Sequence, residues 1–144
     1  MMNQVLLLSL LALLFAVACA DLDASSFTAT VLEDDKVWLV EFYSSMCGGC
    51  TEFAPTWDRV AAALPGVKTG KINIDNKTGM KIAEDLGVLD DGVPHVRIFS
   101  KRNSIKGSPL VKSDSSMTAE QIIQRVRKAT SPLGSNADGF SLKK

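Results

Sequence analysis

The chain is short of several things that would point it to other chemistries. It has one histidine, His95, so a zinc site would need ligands that the sequence does not supply in any recognisable spacing. It has no charge excess, with 16 lysines and arginines against 16 aspartates and glutamates, which excludes an electrostatic footprint for nucleic acid or an acidic tail. It has 3 cysteines, too few for a small secreted domain stapled by disulfides, so stability must come from an apolar core. No internal repeat is present. The longest hydrophobic run is too short to span a bilayer comfortably, which takes roughly 20 residues.

The longest apolar run, Val5 to Ala18, is broken only by Ser9 and leads to Ala18-Cys19-Ala20, the small–x–small form of a leader cleavage site. Residues 1–20 are expected to be a signal peptide, although Met1 to Gln4 carries no basic residue. An uncleaved anchor and a lipid-bearing Cys19 are the competing readings. The second lacks a leucine three residues before the cysteine. Cleavage would leave Cys47 and Cys50 as the only cysteines. A length of 144 residues fits one domain, expected over 21–130, with a mobile polar tail over 131–144.

What is present is concentrated at one place. Val37 to Tyr43 is an almost unbroken β-branched and aromatic run, as for a central strand covered on both faces. It leads to Cys47-Gly48-Gly49-Cys50. From Cys50, the residues Phe53, Ala54, Trp57, Val60, Ala61 and Leu64 form a helical stripe that continues past Pro55. A thiol at a helix start lies beside unpaired N–H groups and the positive dipole end, which favour thiolate. A second thiol one turn on can close a disulfide, or the pair can be a permanent structural bridge. So small a ring adds little stability. Glu41 interrupts the buried strand, where a lone carboxylate is costly.

Further along, a helix is expected over Ser25 to Asp35, a strand over Val67 to Asp75, and a helix from Met80 to Leu86 ended by Gly87. Strands follow at Val93 to Ser100 and Pro109 to Lys112, with a turn at Lys101 to Ser104. The last helix opens at the capping box Thr118-Ala119-Glu120-Gln121. This order of elements implies an α/β fold, a central mixed sheet flanked by helices on both faces. Asn76-Lys77-Thr78 is an N-glycosylation sequon in an expected polar turn.

Val40-Glu41-Phe42-Tyr43 before the cysteines, Cys-Gly-Gly-Cys, Phe53-Ala54-Pro55, Lys71-Ile72-Asn73-Ile74-Asp75 and Gly92-Val93-Pro94 together resemble a thioredoxin-like fold domain of the protein disulfide isomerase kind, across roughly residues 22–130. Phe53 to Trp57 also resembles the thioredoxin domain of quiescin-type sulfhydryl oxidases. The resemblance implies a thiol–disulfide oxidoreductase or isomerase acting on protein thiols and disulfides, with an unidentified electron donor or acceptor and no cofactor, metal or nucleic acid. It implies that Cys47 is the nucleophile and Cys50 the buried resolving thiol, together the redox-active disulfide. Glu41 then moves protons for Cys50, with Lys71 approaching it. Met46, Gly48, Gly49, Val93 and a cis Pro94 form the substrate surface. The implied location is the secretory pathway: endoplasmic reticulum lumen or secreted, or periplasm in a bacterium. A peptide-binding adaptor with little redox turnover is the alternative.

Several residues depart from the family pattern. Met46 stands where a tryptophan is usual, and Gly49 where isomerases carry histidine and thioredoxins proline. Leu89-Asp90-Asp91 lengthens the loop before Gly92. Lys112 is a weak substitute for the isomerase arginine that swings toward the resolving thiol. His95 is expected to face away from the cysteines. The first strand of the family falls near Val17 to Leu22, overlapping the leader.

Overall fold

The computed structural model describes residues 19–22, 24–101, 105–113 and 116–131. Nearly all of the expected leader, the tip of the turn after Lys101, and the tail from 132 onward lie outside them.

Five strands form one sheet in the order β1-β3-β2-β4-β5. They are β1 (Ala20–Asp21), β2 (Trp38–Tyr43), β3 (Lys68–Asn73), β4 (His95–Phe99) and β5 (Ser108–Val111). β1 and β2 run parallel to β3, while β4 is antiparallel to both β2 and β5. The sheet is therefore mixed, as the element order implies. The strands are somewhat shorter than the apolar runs suggest, because Val93–Pro94 and Ile74–Asp75 turn away to build loops. β1 pairs Ala20 with Gly70 and Asp21 with Lys71, so a cut after Ala20 falls inside this edge strand.

Four helical segments cover the sheet: α1 (Ala24–Phe27, continuing as a π-helical turn Thr28–Leu32), α2 (Gly48–Ala62), α3 (Lys77–Leu86) and α4 (Ala119–Thr130). The period-2 alternation of β2 divides them between two cores. Trp38, Val40 and Phe42 pack with Phe27 and Val31 of α1 and with Ile82, Ala83 and Leu86 of α3. Leu39 points to the opposite face, against Trp57 and Val60 of α2 and Ile122 and Val126 of α4. Phe42 and Leu39 are both fully buried, each worth roughly 1.5–3 kcal/mol of transfer free energy.

The caps explain where the helices begin and end. α4 carries the full capping box, with Thr118 and Gln121 exchanging side-chain-to-backbone bonds. α3 begins at Lys77, three residues before the apolar stripe suggests, because the Asn76 side chain caps it by accepting from Gly79 N at 2.8 Å. The sequon is thus a helix start and not a free turn. α3 stops at Gly87, whose φ of 72° suits glycine. α2 runs through Pro55 without ending, as the continuing stripe implies.

Candidate functional site

β2 delivers the chain to the site and α2 starts there. Cys47 is the N-cap of α2, with extended backbone, and its carbonyl accepts from Cys50 N at 3.1 Å and Thr51 N at 3.2 Å. Its Sγ also accepts from Cys50 N at 3.2 Å. The Cys47 sulfur therefore takes the place of a capping oxygen, facing the orphan N–H groups of the first turn. The two cysteines are free thiols here, Cys47 partly exposed and Cys50 buried. Burial, followed by the neighbouring Cys47 sulfur, pushes the Cys50 thiol up to about 11. The Glu41 charge acts on Cys50 in the same direction.

The loop carrying Val93 and Pro94 closes over the thiols. The Val93–Pro94 peptide is cis, and the Cys47 thiol donates to Val93 O at 3.6 Å. Gly49 lies between these parts: a Cβ built there would meet Pro94 Cδ at 3.6 Å and Cys47 Sγ at 4.0 Å. Gly48 has open space around it, and Met46 stands out from the surface at 87% exposure. Val93 and Gly49 thus lie against the Cys47 sulfur, Pro94 borders Gly49, and Met46 and Gly48 are the chain neighbours of Cys47.

Beneath the thiols, Glu41 occupies the β2 face that packs under α2. It is 1% exposed, so the acid is not on an exposed edge. Register places Lys71 of β3 beside it, with Nζ 3.0 Å from Glu41 Oε2. The angle of this ion pair leaves Oε2 without an aligned hydrogen bond. Burial raises the Glu41 carboxyl, against the opposing pull of Lys71. For Lys71, burial alone would lower the ammonium, and pairing with Glu41 more than offsets this. Lys71 is also held over the Tyr43 ring, 4.6 Å from its centroid, so it is not a freely solvated lysine.

Two other expectations resolve clearly. His95 lies on the sheet face opposite Glu41, fully buried, with Nε2 accepting from Arg97 Nε at 3.1 Å. It faces away from the cysteines. Burial, reinforced by the Arg97 charge, lowers His95 to about 4 and keeps it a neutral acceptor. Lys112 does not substitute for the swinging arginine: its Nζ is engaged with Asp91 Oδ1 at 2.8 Å. With Ser113 Oγ donating to Asp91 O at 2.6 Å, that contact fastens the lengthened loop from outside.

Sequence reasoning missed the support of the Cys47 loop. Ser44 Oγ donates to Asp75 Oδ1 at 2.5 Å, Ser45 N donates to Asp75 Oδ2 at 2.8 Å, and Ser45 Oγ also bonds Asp75. These bonds, led by the Ser44 hydroxyl, lower the Asp75 carboxyl. Parallel pairing of Tyr43 with Asn73 places Asp75 beside the two serines, so only the register reveals the contact. Arg97 was likewise missed. Its guanidinium donates to Lys106 O at 2.9 Å and Gly87 O at 3.5 Å, joining the ends of the segment that carries Pro94.

A five-stranded mixed sheet between helices, with a Cys-x-x-Cys at the start of α2 and a cis-proline loop facing it, is the architecture of a thioredoxin-like domain. The sequence model of the thioredoxin family matches residues 18–128, and the chain belongs to that family. It is 31% identical over 109 residues to sulfhydryl oxidase 1 of Cavia porcellus, covering 71% of this chain and 18% of that protein. It is 39% identical over 80 residues to a protein disulfide-isomerase A6 homolog of Drosophila melanogaster, covering 55% of this chain and 18% of the relative. The chain therefore spans under one fifth of these curated relatives. Among solved structures, it superposes on the first thioredoxin domain of mouse protein disulfide-isomerase A4 with a TM-score of 0.62 and 28% identity, covering 84% of this chain and 81% of that one. Among the described residues, no helix is long and apolar enough to cross a membrane.

Proposed function

We propose that this chain is a protein thiol–disulfide oxidoreductase of the disulfide isomerase kind, working through Cys47 and Cys50. The observation that carries the reading is the asymmetry of the pair. Cys47 is partly exposed at the helix cap, while Cys50 is buried with its thiol held at about 11. Only the first is placed to meet a substrate.

In the reducing direction, the Cys47 thiolate attacks one sulfur of a substrate disulfide. The substrate S–S bond breaks, a mixed disulfide forms, and the other substrate sulfur leaves as a thiolate that takes a proton. Cys50 must then lose its proton and attack the Cys47 sulfur. The Cys47–Cys50 bond forms, the mixed bond breaks, and the second substrate sulfur departs as a thiol. The substrate gains two electrons and the pair loses two. Oxidation of a substrate dithiol is the same sequence reversed.

Glu41 is the proton acceptor for the second step, for a thiol at about 11 is almost entirely protonated near neutrality. Its raised carboxyl suits that transfer. Lys71 holds the carboxylate in place and stabilises its charged form. Extended protein or peptide substrates lie across Met46, Gly48, Gly49, Val93 and Pro94. An electron donor or acceptor, unidentified, restores the pair, and no cofactor is required. Likeness to the protein disulfide isomerases supports work in the secretory pathway, with residues 1–20 as leader and 21–130 as the folded domain. Multiple turnover of a disulfide-linked protein substrate tests the reading. Wild type is expected to turn over, and Cys47→Ser and Cys50→Ser are not. Tight peptide binding without turnover would instead favour an adaptor.

A further inference from the structure

Asn76-Lys77-Thr78 is the only sequon among the chain's five asparagines. The catalytic reading above makes no use of it, yet the folded structure leaves it open. Asn76, Lys77 and Thr78 are all exposed. Asn76 Oδ1 accepts from Gly79 N at 2.8 Å and from Thr78 Oγ1 at 2.7 Å. Nδ2 donates one hydrogen to Asn73 O at 3.0 Å, so its second hydrogen has no assigned partner among the described residues. The inner side of this turn is closed. A Cβ at Gly79 would lie 3.2 Å from Ile72 and run into the Asn73 backbone, so nothing larger than glycine fits between α3 and β3. The amide nitrogen is thus presented on the solvent side of a rigid turn, while the helix cap depends on the oxygen.

We propose that Asn76 carries an N-linked glycan, an inference that rests on the secretory-pathway reading. The co-reactant is a lipid-diphosphate-linked oligosaccharide. The amide nitrogen bonds to the anomeric carbon, the carbon–oxygen bond to the diphosphate breaks, and the lipid diphosphate leaves with the bonding pair. One amide proton is released to water, and nothing is oxidised or reduced. The folded chain accommodates the product, because Nδ2 keeps one hydrogen and Oδ1 keeps both of its contacts. The glycan then stands at the same end of the sheet as Cys47. Asp75, the preceding residue, binds Ser44 and Ser45 of the thiol loop. The sugar therefore roots beside one edge of the substrate surface.

The test is translation of the full chain with microsomes from a glycosylating cell, read by protease protection and by an endoglycosidase-sensitive mass shift. The cap dictates the variants. Asn76→Asp keeps a capping oxygen but has no amide nitrogen, and Thr78→Val removes the hydroxyl while leaving Asn76 intact. Thr78→Ser restores the sequon. Wild type and Thr78→Ser are expected to be protected and shifted by one glycan, with the shift lost in Asn76→Asp and Thr78→Val. Protection without a shift, or a shift that survives Asn76→Asp, overturns the glycan and leaves the secretory reading standing. Full protease sensitivity overturns both, since the acceptor never meets its donor.

Discussion

Gly49 is the position where one substitution should move the redox poise by a calculable amount. A side chain there begins 4.0 Å from Cys47 Sγ and in ordinary contact with Pro94, so Gly49→His needs no backbone shift. Gly49 does not have a positive φ, so an L side chain meets no strain. The imidazolium centre would lie about 5 Å from the sulfur, where Coulomb's law gives about 0.8 kcal/mol at the dielectric of water and about 3.3 at an effective value of 20. The site is half open, and the true value falls between. Charge at that position stabilises the Cys47 thiolate and hence the reduced pair. At about 1.4 kcal/mol per 30 mV, the potential should rise by about 20–70 mV. The rise needs thiolate and imidazolium together, so it should fade at pH well above the ordinary imidazole pKa of about 6.5. Equilibration with glutathione across pH 6–8, read by alkylation and mass spectrometry, measures it. No rise, a fall, or a rise independent of pH would refute the electrostatic reasoning and move attention to Met46 or the loop before Pro94.

Other consequences follow from the same geometry. In the reduced protein at pH 7, Cys47 should alkylate at least a hundredfold faster than Cys50, because a thiol near 11 is about one part in ten thousand thiolate; peptide mapping after a short iodoacetamide pulse checks the order. Glu41→Gln should slow release of the mixed disulfide while leaving the first attack unchanged, as resolved by stopped-flow quenching. The same variant tests linkage: Glu41 is raised in the fold, so wild type should lose stability relative to Glu41→Gln as pH climbs from about 4.3 through the folded value. His95 is lowered to about 4. Wild-type stability should therefore fall as pH drops from about 6.5 through 4, by up to about 3 kcal/mol. Urea melts should show this trend flattened in His95→Gln, which retains an acceptor for Arg97.

Period and composition made the layers of this fold readable in advance. The apolar β2 run, the stripe of α2 across Pro55 and the capping box of α4 each stand where their patterns place them. Helix starts set by a single polar side chain were less visible. Asn76 reads as a turn residue until its oxygen is seen accepting from Gly79 N, which adds a full turn before Met80. The thiols and the cis proline belong to a local motif and were legible from the resemblance. Contacts that depend on strand register were not. Asp75 reaches Ser44 and Ser45 only because β2 and β3 run parallel in that alignment. His95 does turn from the cysteines as expected, since its strand position alternates with Val96, the partner of Glu41. Lys112 illustrates the limit of analogy: a suitable charge in a suitable stretch is taken up by Asp91, which the longer loop brings within reach.

The central claim is that Cys47 meets the substrate sulfur and Cys50 resolves it. Trapping tests it most directly. Cys50→Ser, incubated with an oxidised protein substrate and quenched with acid, should accumulate a covalent adduct that maps to Cys47, disappears on reduction, and is absent from Cys47→Ser. Failure to trap an adduct, or an adduct mapping to Cys19, would contradict the account.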